Sequence, residues 1–303
     1  MFEFMKILTL RARYECLQNG SLPSYLGSTI RGILGHCIHD FYCHSHKNKK
    51  CFLCEERERC LYVQCFSNTG GEAGAVNPYT IYVHGQAKEK WEKGERCVFD
   101  ITLFGKGTEQ AGVYLDALMA AEQKGWGAER LRFRLEQVVD PDSGKIIYAG
   151  GKSFIRNLEA RPLSIKERSA GYACLVFDTP IRLVSGGKLF SKLPFPMLIQ
   201  FLTRRISLLT TKYTDVRLEW DIEEMRSLAA SVKTVDEDWR EVPFSRYSMN
   251  RRDGKLELAA KTGWILYGGE LSRFVPILEM GKYLRVGKGA TIGFGHYEVF
   301  YDK

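Results

Sequence analysis

The sequence predicts an α+β fold: two ferredoxin-like (RRM-like) βαββαβ units in tandem, with a glycine-rich loop near the C-terminus. Three observations predict it. In the first half, strand-like alternation and helix-like stripes run as strand, helix, loop-rich region, strand, helix, strand. A similar order returns in the second half. Finally, 285-RVGKGATIGFGHYEV-299 sets four glycines just before a last alternating apolar run.

Residues 7–15 place Leu8, Leu10, Ala12 and Tyr14 on one face and Thr9, Arg11 and Arg13 on the other, the pattern of a half-buried strand. NGSLP then marks a turn. Residues 24–42 follow as a helix whose stripe is Leu26, Ile30, Ile33, Leu34, Cys37 and Phe41. Residues 66–95 look loop-rich and must hide the second strand of the unit. Residues 97–104 alternate as a strand, 109–124 read as a helix, and 130–139 as a strand with Leu131, Phe133 and Leu135 inward. GGKSF and RPLS interrupt the pattern near 150–170, which divides the chain into 1–160 and 161–303. In the second part, 172–184 read as a strand, 194–210 as a helix opened by prolines, 243–250 and 257–267 as a β-pair, GGELSRFVPILEMG as a short helix, and 294–301 as the final strand.

The chain has 303 residues, of which 45% are hydrophobic and 26% charged, ordinary values for a globular protein with two cores. No stretch approaches the ~18 apolar residues of a membrane helix, and no basic stretch followed by an apolar run opens the chain. A cytoplasmic protein without a membrane partner is the expectation. The net charge of +8 suits a polyanion, and residues 240–303 carry eleven Lys/Arg against seven Asp/Glu.

Five of the nine cysteines lie between Cys43 and Cys65. A tight cluster in a reducing compartment favours metal over disulfides. Cys43, Cys51, Cys54 and Cys60 could close a tetrahedral thiolate shell around a structural zinc, with His44 or His46 able to replace one ligand. An iron–sulfur cluster needs the same thiolates. The intervening KNKK and EERER are too polar to fold on a core of their own, so a metal would order them.

Gly287, Gly289, Gly293 and Gly295 permit positive φ and leave room for close approach. Consecutive amides could then cradle a phosphate, with Arg285 and Lys288 adding charge. A glycine-rich hairpin or bulge would use the same residues. No helix follows, so the segment is neither a P-loop nor a dinucleotide fingerprint.

The segment VGKGATIGFGHYEV resembles the glycine-rich C-terminal signature of the RAMP superfamily of CRISPR-associated RNA-binding proteins, and within it the endoribonucleases that process precursor CRISPR RNA. LGSTIRGILGHCI (26–38), FLTRRISLL (201–209) and SRYSMNRRDGKLE (245–257) are similar to other family segments in the same order. Only Ala290, Thr291 and Ile292 separate the inner glycines, where many members have five residues. The resemblance implies tandem ferredoxin-like domains, binding of CRISPR repeat RNA and crRNA, and association with further CRISPR-associated proteins. It also implies cleavage without a catalytic metal, in which a ribose 2′-OH attacks the adjacent phosphate to leave a 2′,3′-cyclic phosphate and a 5′-OH. It puts Arg204, Arg205, Arg246 and Arg251 on the RNA beside the glycine loop.

Such chemistry needs a base, an acid and a cation. His36 and His39 in the first helix suit the acid–base roles near neutral pH. His39 stands furthest from the apolar stripe, beside Ser28, Gly32 and Gly35, on a small polar face that a backbone could approach; His36 lies on the flank. Tyr25 and Arg31 are candidates for auxiliary acid and phosphate clamp. His296 would face RNA or solvent, and His84 sits in a loop-like segment. A non-catalytic RAMP subunit that binds guide RNA would share everything except the need for the histidine pair.

Overall fold

The computed structural model describes residues 2–45, 51–67, 76–85, 87–247 and 255–302. His46, Arg251 and the rest of residues 248–254 lie outside them. The chain divides into two compact units, one of 4–163 with 212–215, the other of 1–3, 164–211 and 216–303.

In the first unit, β1 (Lys6–Cys16) and α1 (Gly27–Tyr42) precede β2 (Tyr79–Val83), the strand concealed in the loop-rich region. Then come β3 (Arg96–Phe104), α2 (Ala111–Lys124) and β4 (Phe133–Val139). The antiparallel sheet runs β2-β3-β1-β4 and continues into β5 (Ile146–Ala149). The first four strands in that order are the ferredoxin-like arrangement. The alternation of β1 is what buries one face: Leu8, Leu10, Ala12 and Tyr14 are inaccessible and pair with Leu103, Ile101, Phe99 and Cys97 of β3. The α1 residues Ile30, Leu34 and Cys37 and the α2 residues Tyr114 and Leu118 complete the core. Phe41 departs from the expected stripe and is 57% exposed, because the core ends one turn before the helix does. The opposite face of the sheet is a lattice of ion pairs. Arg11 grips Asp100 through Nε at 2.7 Å and Nη2 at 2.8 Å, and His84, which follows β2, reaches Asp100 at 3.0 Å. Burial opposes ionisation of Asp100, but its bonds to Arg11 and His84 outweigh it and hold the carboxyl below its usual range.

The second unit repeats the arrangement: β6 (Tyr172–Ile181), α3 (Phe195–Tyr213), α4 (Ile222–Ser231), β7 (Lys233–Tyr247), β8 (Lys255–Gly268), α5 (Val275–Leu284) and β9 (Glu298–Asp302). Its sheet runs β7-β8-β6-β9. Two features differ from the sequence expectation. β7 begins ten residues earlier than the expected 243, across KTVDEDWREV. Those charged residues are tolerated because β7 is an edge strand paired along its whole length with β8, from Lys233↔Gly268 to Tyr247↔Lys255. α4 was not expected. The Asp221 side chain caps it by accepting the Glu224 N–H at 2.9 Å.

Candidate active site

The first helix carries the histidines in different settings. His36 is exposed and lines a groove of about 190 Å3 with Ile33, Asp40, Lys124, Gly125 and Arg130. Lys124 ends α2, and Arg130 stands where a positive φ of 55° interrupts the chain before β4. That break explains why the strand starts at Phe133 rather than at 130. Lys124 Nζ donates to Asp40 at 2.5 Å, and that bond, more than any other influence, holds the Asp40 carboxyl below its ordinary value. The groove therefore holds an imidazole, two cations and one carboxylate.

His39 is less open. Its ring meets Tyr62 edge-on at 5.0 Å between centroids, and its Nδ1 is 3.9 Å from Asp40. The small face of α1, expected to lie open, is covered at Gly35 by the cysteine-bearing segment and stays open at Gly32. The Phe66 ring lies so close that a Cβ at Gly35 would stand 2.5 Å from it, and the Arg31 guanidinium lies over the same ring at 5.0 Å. Arg31 thus covers an aromatic face rather than pointing into the His36 groove. Tyr25 is half-buried one residue before the Leu26 cap of α1 and does not line the groove.

The glycine-rich loop folds against the end of β6. Gly287, Gly289, Gly293 and Gly295 all have positive φ. Gly295 shows the requirement most clearly: with φ of 75°, an added Cβ would lie 2.0 Å from the Val286 carbonyl oxygen. The amides expected to hold phosphate are largely consumed. Those of Val286, Lys288, Ile292, Gly293, Phe294 and Gly295 donate to backbone carbonyls of Gly295, Arg182, Gly289, Ala290, Gly289 and Pro180. The glycines are needed first for the turn. Lys288 remains exposed on it.

Two of the expected RNA-binding arginines serve the protein instead. Arg205 Nε donates to the Leu284 carbonyl at 2.5 Å, and Arg285 Nη1 donates to the Lys282 carbonyl. Both satisfy the last turn of α5, where cations suit the helix dipole. Burial, with Arg285 second, brings the Arg205 guanidinium down to about 10. Arg204 is exposed on α3. Arg246 lies in β7 opposite Leu256. His296 is turned away from solvent: it is 8% exposed, with Nδ1 at 2.5 Å from Asp178 and its backbone N–H on Thr179.

Cys43 and Cys60 are buried, and Cys43, His44, Cys54 and Cys60 line a small cavity. Among the described residues, no three His, Cys, Asp or Glu side chains are gathered closely enough to coordinate an ion. The four expected ligands are thus not gathered as a preformed site among those residues. The same residues also include no helix long and apolar enough to cross a membrane.

The residues missed by the sequence reading are Lys124 and Arg130. A lysine in the last helical turn before Gly125 was visible, but only the packing of α1 beside α2 places it by His36.

Comparison with known proteins agrees with this architecture. The family model AF_1859_N, N-terminal domain, matches residues 4–162, just over half of the chain. The model of the CRISPR-associated endoribonuclease Cas6 matches residues 175–297. No curated protein matches. Among solved structures, a partial Cas6-RT-Cas1–Cas2 complex is similar with a TM-score of 0.63 at 9% identity, covering 99% of this chain and 46% of that one. Thermus thermophilus Cas6 gives 0.56 at 11%, covering 98% and 99%. A Cas6 product complex gives 0.54 at 15%, covering 97% and 100%. This chain thus spans about half the length of the first and nearly all of the other two. At such identities these structures establish the fold, and the family models establish the kinship: the chain belongs to the family of CRISPR-associated Cas6 endoribonucleases, with a Cas6 domain in its second unit and an AF_1859_N domain before it.

Proposed function

We propose that this chain cuts precursor CRISPR RNA within its repeats to release crRNA, using its own side chains and no catalytic metal. The observation that carries the proposal is the shared groove of His36, Lys124 and Arg130. An imidazole exchanges protons near neutral pH, which suits it to take the 2′-OH proton or to protonate the leaving 5′-oxygen. Two cations beside it would neutralise the phosphorane as charge gathers on its equatorial oxygens. Arg130 can form a fork with two phosphate oxygens, while Lys124 acts as a point charge positioned by Asp40. His39, packed on Tyr62, supports the helix. Lys288, Arg204 and the outer surface of the glycine-rich turn would track the RNA backbone. The product termini would be a 2′,3′-cyclic phosphate and a 5′-OH. CRISPR repeat RNA is the proposed substrate, other CRISPR-associated proteins the proposed partners, and the cytoplasm the proposed location.

The test uses labelled repeat RNA with EDTA and no added divalent ion. Cleavage is expected, and it should vanish when the scissile nucleotide is 2′-deoxy. A requirement for Mg2+ or Mn2+, or undiminished cutting of the 2′-deoxy RNA, would overturn the mechanism. Tight binding without any cleavage would favour a guide-RNA-binding subunit.

A further inference from the structure

The cysteine-bearing segment lies outside the His36 groove and the glycine-rich loop. It runs from Cys43, just after α1, to the short helix Leu61–Cys65, which packs on α1. Cys43 and Cys60 are buried at its two ends. Cys51 and Cys54 form a tight turn between them, in which the Cys54 N–H donates to the Cys51 carbonyl at 3.2 Å. Such a C-x2-C turn is the ligand spacing of structural zinc sites. Cys43, His44, Cys54 and Cys60 are among the residues that line one cavity of about 40 Å3. The space is close to the ~30 Å3 share of one water, enough for a single ion.

Between Cys54 and Cys60 the chain is polar. Glu55, Glu56, Arg57, Glu58 and Arg59 are all exposed. Three cysteines on one small cavity, with Cys51 one tight turn from Cys54, are the chemistry of a cross-link. Soft thiolates in a tetrahedral set hold zinc or an iron–sulfur cluster, and a space this small suits a single ion. We propose that Cys43, Cys51, Cys54 and Cys60 bind one structural zinc ion, their side chains rotating inward about this cavity. Each thiol gives its proton to solvent as its sulfur takes a place on the ion. No electron is transferred and no position remains open for substrate.

The site would act as a brace. It ties Cys43 at the end of α1 to Cys60 at the start of the short helix, and so holds Tyr62 against His39 and Phe66 against Gly35 and Arg31.

The experiment is elemental analysis of the full chain purified without added metal, joined to the spectrum of the protein refolded with Co2+. About one zinc per chain is expected, the stoichiometry of one closed site. Cys54→Ser and Cys60→Ser should lose it, whereas His44→Ala and Cys174→Ser should keep it. Co2+ protein should show thiolate-to-metal charge transfer and intense tetrahedral d–d bands. The wild-type spectrum serves even where a cysteine variant fails to fold. Zinc far below stoichiometry, absence of the charge-transfer band, or iron with acid-labile sulfide would overturn the zinc site. Zinc lost from His44→Ala but kept in Cys51→Ser would overturn the ligand set.

Discussion

The glycine-rich loop and the α1 groove treat their polar groups in opposite ways. The loop spends most of its amides on its own turn and on the end of β6, and its flanking Arg285 on the end of α5. The groove keeps an imidazole and two cations facing one open space, with Asp40 bonded to Lys124. The most conspicuous sequence signal therefore builds shape, while the fainter one, a histidine on a helix flank, stands in a groove with two cations. Under the proposed function, binding and chemistry fall on different units, and substitutions can separate them.

The largest effect on stability is expected at Gly295. Gly295→Ala forces a Cβ onto a carbonyl oxygen at a positive φ and should cost about 3 kcal/mol, read by urea unfolding. Gly32 in α1 has no atom near its added Cβ, so Gly32→Ala should stabilise by roughly 0.5–1 kcal/mol. Equal effects at the two glycines would break the comparison.

Lys124→Ala and Arg130→Ala come next. Each removes a charged hydrogen bond to phosphate worth roughly 1.5–3 kcal/mol, so single-turnover cleavage should fall about ten- to a hundredfold. Arg130→Lys should recover only part of the loss if the guanidinium binds as a fork.

A smaller effect concerns pH. Burial, opposed by the Asp178 bond, pulls His296 below its ordinary value of 6.5. The unfolded chain therefore binds a proton that the folded chain resists. The stability from neutral His296 is present above pH 6.5 and declines as pH falls from there toward the lower folded value. Urea unfolding between pH 7.5 and 5 should show this slope, and His296→Asn should flatten it. The smallest effect belongs to Lys288→Ala: RNA binding should weaken evenly across sequences, and the salt slope should fall by about one, with the cutting rate at saturation unchanged.

Much of this fold was legible because both units alternate where they pair. Leu8, Leu10, Ala12 and Tyr14 sit as their spacing requires. β7 was hidden because an exposed edge strand can be acidic, its regularity coming from β8 rather than from its own residues. α4 had a local signal in Asp221 and Glu224, an N-cap with an acid three residues on, which went unread. The site was only half legible. His36 and His39 could be found, but their wheel positions could not show that Tyr62 would pack on one and leave the other open. Lys124 and Arg130 are separated from His36 by more than eighty residues, so only tertiary packing joins them.

The central claim is that His36, rather than His39 or the glycine-rich loop, performs the chemistry. Its most direct test is single-turnover cleavage of repeat RNA at saturating protein, with binding measured in parallel, for His36→Ala and His39→Ala. A general acid or base contributes ~10²–10⁴-fold, so His36→Ala should lose that much rate and bind RNA nearly as well as wild type. His39→Ala should cut within a few-fold of wild type and melt at a lower temperature through its lost Tyr62 contact. Wild-type cutting by His36→Ala, or the larger loss in His39→Ala, would contradict the account.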